Sequence, residues 1–463
     1  MKRQETIGGR TLGVTVLPEW AQAEGVEAVL DRLQAAGVTA VATSPYVMEP
    51  VADGEGSREP PADGGAGSVR LLDRPLWGRR ALTVRTSPSF VPERTRYRGL
   101  AYQPPEPDAL TLGEGHVVAD FLVAAKARGM TTHLQVQAAI PPGYRVQFGG
   151  ARPGDLPLGP DGQPVPGRVD ANASLASPDI LAYGEALLAD LAAQYADADA
   201  IRLDWPEIPP YAFGALFFDF SPHALAAAEA VGLDAARMRR DTLALRDDLA
   251  LLDDRTLAAA DLTVVEAALD GRPGVRDLLR LREHLVTALL ERYRRALPEH
   301  FGLVAQAFPP PFNRLSGFDY AAAGRIADLI GVKLYTMHWP MILRNWGEAL
   351  AALAPRASGP SIAAALVRLT GTGGAPRDLA SLNYPEPDEP HPASDAAMAD
   401  KIRVARASAG GVPVAAFAHA YGPLPDVVRR VRVAWEASDG HVWINRYGYL
   451  SDAKLAALAE ATA

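Results

Sequence analysis

The sequence predicts an α/β protein built as a (β/α)8 TIM barrel with long inserted βα loops, and three observations lead there. Short runs of β-branched and apolar residues alternate with longer segments at helical spacing along the whole chain. Eight such strand–helix units can be marked, and right-handed crossovers between successive strands close them into a parallel barrel. An open doubly wound sheet would need a glycine-rich phosphate turn after the first strand, and "VLPEW" at 16–20 is nothing of that kind.

The elements follow in order. Residues 11–17 (TLGVTVL) form the first strand, and 25–37 (GVEAVLDRLQAAG) a helix stopped by glycine. Residues 38–45 (VTAVATSP) are the second strand. A Gly-, Pro- and charge-rich excursion from about 50 to 112 then promises little core of its own. A helix at 116–130 leads into the third strand, 131–139 (TTHLQVQAA). The next helix, 177–195, opens with Ser177 as N-cap and Pro178 in the first helical position. "AIRLDW" at 200–205 is strand four. A mostly helical insertion to about 270 precedes a helix at 275–297 and strand five at 302–309. A helix at 321–329, strand six at 330–339, and helices at 344–354, 361–369 and 393–408 come next. Strand seven spans 412–422, strand eight 441–450, and a helix over 452–461 closes the chain. All of 1–463 is assigned to one barrel, with 50–112, 140–178, 206–270 and 370–392 as insertions over its mouth.

Composition narrows the functions. With 463 residues and 48% hydrophobic content the chain can bury a large core. It has no cysteine, which removes disulfides, thiolate nucleophiles and cysteine-based metal clusters. A net charge of −9 without a basic aromatic patch argues against nucleic acid as a partner. No run of about 18 apolar residues is present to cross a membrane. The start, MKRQETIGGRTLGV, has no apolar stretch behind its basic residues, so the expected location is cytoplasmic. No cofactor is expected, and the oligomeric state stays open.

Residues just past the C-terminal ends of barrel strands line the active site. Here they are Glu19 and Trp20; Ser44 and Tyr46; Gln135 and Gln137; Arg202, Asp204, Trp205 and Glu207; Phe308; Lys333, Tyr335, His338 and Trp339; His419 and Tyr421; Asn445, Arg446 and Tyr447. Carboxylates, amide and ring donors and flat aromatic faces together suit a small carbohydrate, whose hydroxyls need paired polar groups and whose C–H faces need rings.

The stretch "AIRLDWPEIPPY" (200–211) carries the chemistry. Alternation along strand four points Arg202 and Asp204 the same way, and a cation beside Asp204 suits a nucleophile or general base. Glu207 follows Trp205 and Pro206, and apolar surroundings would fit it as proton donor. Three extended residues reach at most ~10 Å, so carboxyl separations of either ~5–5.5 Å or ~6.5–9.5 Å are open. The bland reading makes Arg202–Asp204 a structural bridge and Glu207 a solvated loop residue. His338, His419 and Asp204 contain ligand types for a metal, but no H-x-H or H-E-x-x-H spacing supports one, so no metal is assigned. Lys333 is either a Schiff-base lysine or, better, a carboxylate's partner. The acidic loop "YPEPDEPHP" (384–392) reads as solvated, although it could bring an acid over the mouth.

Residues 172–211, with an Asn and a Ser-Pro opening a helix and a strand ending in "AIRLDWPE", resemble the glycoside-hydrolase-like (β/α)8 barrel family, many of whose members are uncharacterised glycosidases. Part of the stretch is similar to the strand-four "DGIDLDWEYP" of chitinase-type enzymes, with Arg202 in place of an Asp and Pro206 inserted before Glu207. The Arg-x-Asp pair is similar to strand four of α-amylase-type barrels, whose Asp is the nucleophile. Those enzymes carry the acid on strand five, where "LVAQAFPPPF" has no carboxylate. "KLYTMHWPM" and "WINRYGYL" look like strands six and eight of the same group.

The resulting expectation is a glycosidase for a small glycoside or oligosaccharide. Asp204 and Glu207 are its catalytic pair, and Arg202, Trp205, Gln135, Gln137, Lys333, Tyr335, His338, Trp339, His419 and Arg446 bind substrate. Two rivals are a carbohydrate-binding barrel without turnover, and a lyase or isomerase dependent on a metal or on Lys333.

Overall fold

The computed structural model describes residues 10–61, 70–165 and 172–462. Eight parallel strands close into a barrel: β1 (Thr11–Thr15), β2 (Ala40–Thr43), β3 (Thr131–Gln137), β4 (Ala200–Asp204), β5 (Gly302–Ala307), β6 (Leu329–Leu334), β7 (Val414–His419) and β8 (His441–Asn445). Each pairs with its sequence neighbours, and β1 closes on β8 with Thr11 opposite His441 and Thr15 opposite Asn445. The fold class read from the sequence is the fold found. The expectation about the N-terminus lies largely on residues 1–9, outside the described residues. Among the described residues no helix is long and apolar enough to cross a membrane.

Local chemistry explains where elements begin and end. Ser177 does cap the helix Pro178–Gln194, its hydroxyl accepting the Ile180 N–H. The strand expected over 330–339 stops at Leu334, because the chain turns into the helix His338–Leu353. Pro340 fits there since first-turn N–H groups need no intrahelical partner. His338 and Trp339 therefore stand on a helix start, not on a strand tip. The helix expected at 321–329 shrinks to Tyr320–Gly324, since Leu329 already belongs to β6. The helix Leu424–Ala437, absent from the sequence reading, buries Val427, Val431 and Ala434 on one face. Its arginines obscure that spacing.

The excursion after β2 holds more structure than its composition promises. Tyr46–Pro50, Ser57–Glu59 and Leu82–Pro88 form a three-stranded antiparallel sheet. Tyr46, Met48, Leu72, Val84 and Tyr97 from this region join the main core. Inside the barrel, small residues face large ones. A Cβ on Gly13 would lie 2.3 Å from the Trp443 ring, and one on Gly331 2.4 Å from the Phe417 ring. Both rings adjoin the buried Arg202 guanidinium, 3.9 Å from the Trp443 centroid and 4.6 Å from that of Phe417.

Candidate active site

A cleft opens at the C-terminal ends of the strands. The barrel contributes Gln135, Gln137, Asp204, Trp205, Tyr335, His338, His419, Asn445 and Arg446 to its lining, and the insertions contribute Arg70, Tyr144, Arg145, Gln147 and Tyr211.

One wall is centred on Asp204. Its Oδ1 lies 3.0 Å from the Lys333 ammonium, which reaches up from β6. That contact lacks hydrogen-bond angles, and both atoms are buried. Oδ2 accepts from Gln137 Nε2 at 3.3 Å, across the β3–β4 register that sets Gln137 opposite Asp204. With Oδ1 covered and the side chain 18% exposed, Oδ2 is the oxygen presented to the cleft. Trp205 follows with φ +51°, a left-handed backbone that a bulky residue adopts at a cost and that recurs at functional sites. Its ring meets Tyr211 edge-on at 5.8 Å. Tyr211 in turn bonds its hydroxyl to His338 Nδ1 at 3.0 Å, and Tyr335 stands edge-on to both His338 and His419.

Glu207 lies behind this wall, fully buried. Its Oε1 accepts the Phe308 N–H at 2.8 Å and its Oε2 the Ser316 hydroxyl, and Lys333 is 3.8 Å away. Burial pushes its carboxyl up to about 7, with Lys333, Ser316 and the Phe308 N–H restraining the rise. The segment after Asp204 is tied to its surroundings through backbone carbonyls: Trp346 Nε1 donates to Pro210 O at 2.9 Å, and the buried Asn172 amide reaches the Glu207 carbonyl.

The facing wall is cationic. Arg145 pairs with Glu59 at 2.7 Å and Glu19 at 3.1 Å, all three buried. Burial, followed by Arg145 acting in the opposite sense, leaves the Glu19 carboxyl above its ordinary value. Arg446 reaches the same Glu59 through Nη1 at 2.9 Å. Arg70 stacks on the Tyr449 ring and donates through Nε to its hydroxyl at 2.9 Å. His419 accepts the Tyr421 N–H on Nδ1 at 3.0 Å. Burial, with Arg70 and Arg446 close by, holds it well below the usual histidine range. It is therefore neutral, and its proton sits on Nε2.

Of the residues expected at the site, Asp204, Trp205, Gln135, Gln137, Tyr335, His338, His419 and Arg446 meet in the cleft. Four of those expected to catalyse or bind substrate do not line it, nor do Glu19, Trp20, Tyr46, Phe308, Tyr421 and Tyr447 from the strand ends. Glu207, expected to donate a proton to substrate, has both oxygens engaged behind the wall. Arg202 does point the same way as Asp204, but one layer lower, where it bonds Thr15 Oγ1 at 3.1 Å. The cation at Asp204 is Lys333, itself buried. Trp339 lines a separate groove with Thr336 and Leu343. The acidic residues Glu386, Asp388 and Glu389 are exposed and away from the cleft lining. Among the described residues no group of three His, Cys, Asp or Glu is placed to hold a metal ion. The sequence reading missed Arg70, Arg145 and Tyr211. The two arginines sit in Gly- and Pro-rich loops, where charge ordinarily means solvation.

No protein-family model matches the chain, and no curated protein does. Solved structures similar to it include a β-galactosidase from the psychrophilic Marinomonas ef1, with 14% identity over 94% of this chain and 54% of that one, and a TM-score of 0.48. The spore cortex-lytic enzyme of Bacillus cereus matches at 9% over 98% of this chain and 76% of that one, TM-score 0.40. A group IV chitinase of Ostrinia furnacalis matches at 10% over 98% and 97%, TM-score 0.38. The chain thus spans about half the length of the β-galactosidase. Likenesses at this level carry no argument about activity, which rests on the residues of the cleft.

Proposed function

We propose that the protein is a glycoside hydrolase acting on a small glycoside or oligosaccharide, with Asp204 as the carboxylate that meets the anomeric centre. One observation carries this reading: among the described residues lining the cleft, Asp204 is the carboxylate, with Oδ2 presented to the cleft and Oδ1 held against a cation at 3.0 Å. A nucleophile or base needs that combination of fixed position and open lone pairs. Trp205, Tyr211 and Tyr335 offer ring faces for the sugar's C–H faces, while Gln135, Gln137 and Asn445 offer amides for its hydroxyls. Glu207 acts through Lys333 as a positioning residue: it shares the ammonium with Asp204 and does not reach the cleft.

The same placement of Glu207 supports a second reading, a carbohydrate-binding barrel without turnover, because no second carboxylate lines the cleft among the described residues. Nitrophenyl glycosides separate the two, since a good leaving group needs little help from an acid. Hydrolysis of a panel of them by wild type, Asp204→Asn and Glu207→Gln, with and without EDTA, is the test. Cleavage of one glycoside that disappears in Asp204→Asn and survives EDTA supports the hydrolase. Sugar binding with no glycoside cleaved supports the binding barrel.

A further inference from the structure

The wall opposite Asp204 is more than a scaffold. β4 and β8 lie four strands apart in a ring of eight, so Arg446, just past β8, faces Asp204 across the mouth. Glu59 holds Arg446 by Nη1 alone. The opposite edge of that guanidinium, Nε with Nη2, takes no partner among the described residues, and the side chain lines the cleft. Nε and Nη2 form the parallel two-donor fork that matches a carboxylate or phosphate. Arg70 and Arg145 add two further guanidiniums to the same lining, in a chain whose net charge is −9. Among the described residues Glu19 and Glu59 are the carboxylates paired with Arg145 and Arg446, and Glu59 is shared between the two. His419, neutral beside Arg70 and Arg446, contributes an N–H rather than a lone pair. A wall built for neutral hydroxyls alone would not need a rigid, half-occupied guanidinium, since amides serve hydroxyls as both donors and acceptors.

We infer that the substrate carries an anionic group, a carboxylate or a phosphate, that docks on the Nε–Nη2 edge of Arg446 beside Arg70, opposite the reacting carboxylate. The inference rests on the reading of the cleft as a sugar site and narrows it to acidic sugars.

The test is isothermal titration of the full chain with matched methyl glycosides: glucoside against glucuronide and against glucoside 6-phosphate, and galactoside against galacturonide. One acidic member should bind about tenfold or more tightly than its neutral partner, as expected when a charged group gains hydrogen bonds. Whether it is the uronide or the phosphate identifies the anion. Arg446→Gln should erase the preference. Arg446→Lys, which keeps the charge and loses the fork, should retain part of it, and it decides the matter if Arg446→Gln melts early. Neutral members binding as tightly as both kinds of acidic partner would overturn the inference. So would no acidic sugar binding at millimolar concentration, or Arg446→Gln weakening neutral and acidic sugars alike. Asp204-dependent cleavage of neutral nitrophenyl glycosides without any acidic preference removes this inference and leaves the hydrolase. Tight binding of acidic sugars with no glycoside cleaved leaves this inference and removes the hydrolase.

Discussion

The two walls of the cleft are built in different ways. The Asp204 wall is made from strands: Gln137 on β3, Asp204 on β4 and Lys333 on β6 take their places from the barrel's own hydrogen bonds. The facing wall is gathered from distant segments. Glu59 and Arg70 come from the first insertion, Arg145 from the second, Glu19 from the helix Pro18–Glu24 and Arg446 from beyond β8. The Glu59–Arg446 contact joins residues 387 apart in sequence. A strand wall keeps its shape when one side chain is lost. An assembled wall is held by its ion pairs, and buried charges without partners are costly.

That contrast predicts where chemistry and stability divide. Asp204→Asn preserves shape and removes the carboxylate proposed to react, so turnover should fall by about 10⁴-fold, in the upper range for loss of a positioned acid–base group, while the loss of stability stays small because Lys333 keeps Glu207 at 3.8 Å. An equal loss from Arg446→Gln on an uncharged substrate would move the chemistry to the other wall. Next come the two central cations. Arg145→Met leaves two buried carboxylates facing each other and should cost about 3–5 kcal/mol in denaturant unfolding. Lys333→Met should cost less. Glu207 keeps the Phe308 N–H and Ser316 hydroxyl, and Asp204 keeps Gln137 and partial access to water. If Lys333→Met proves the more damaging, the strand wall is the one held by charge.

The same contrast decides what the sequence could reveal. Strand ends are legible because alternation and barrel topology fix which residues reach the mouth, and Asp204, Gln137, His419 and Arg446 were found that way. Depth is less legible. Arg202 and Asp204 share a direction but sit in successive layers, and nothing in the spacing says which layer meets the cleft. Glu207 follows Asp204 by three residues, yet the left-handed turn at Trp205 sends it behind the wall. Arg145 and Glu59 were illegible because their meaning is their pairing, and that is set by an inserted sheet whose short strands are broken by Gly and Pro.

Glu207 gives the strand wall a pH signature of its own. Its folded value, about 7, lies above the ordinary 4.5. Between those values the folded chain holds a proton that the unfolded chain has released. Its contribution to stability is therefore full below about pH 4.5 and is lost as pH rises to about 7. At 1.36 kcal/mol per unit this amounts to about 3 kcal/mol. Glu207→Gln, fixed in the neutral form, should flatten the dependence of unfolding free energy on pH across that window. A mutant curve parallel to wild type would mean that Glu207 is ionised throughout, with Lys333 outweighing burial.

The smallest effect probes the floor that both walls share. Gly13 on β1 sits opposite Trp443 of β8, with no room for a methyl against the indole. Overpacking of this kind costs about 1–3 kcal/mol. Gly13→Ala should lower the unfolding free energy by that amount. The displaced ring lies under β1 and β8, which lead to the arginine wall, and Asp204 is held from β3 and β6. Turnover of a neutral glycoside should therefore persist while preference for an acidic one weakens. Trp443 also supports the Arg202 guanidinium in the layer beneath Asp204. A fall in turnover with preference intact would show that strain passes through Arg202 to β4, making the two walls one mechanical unit.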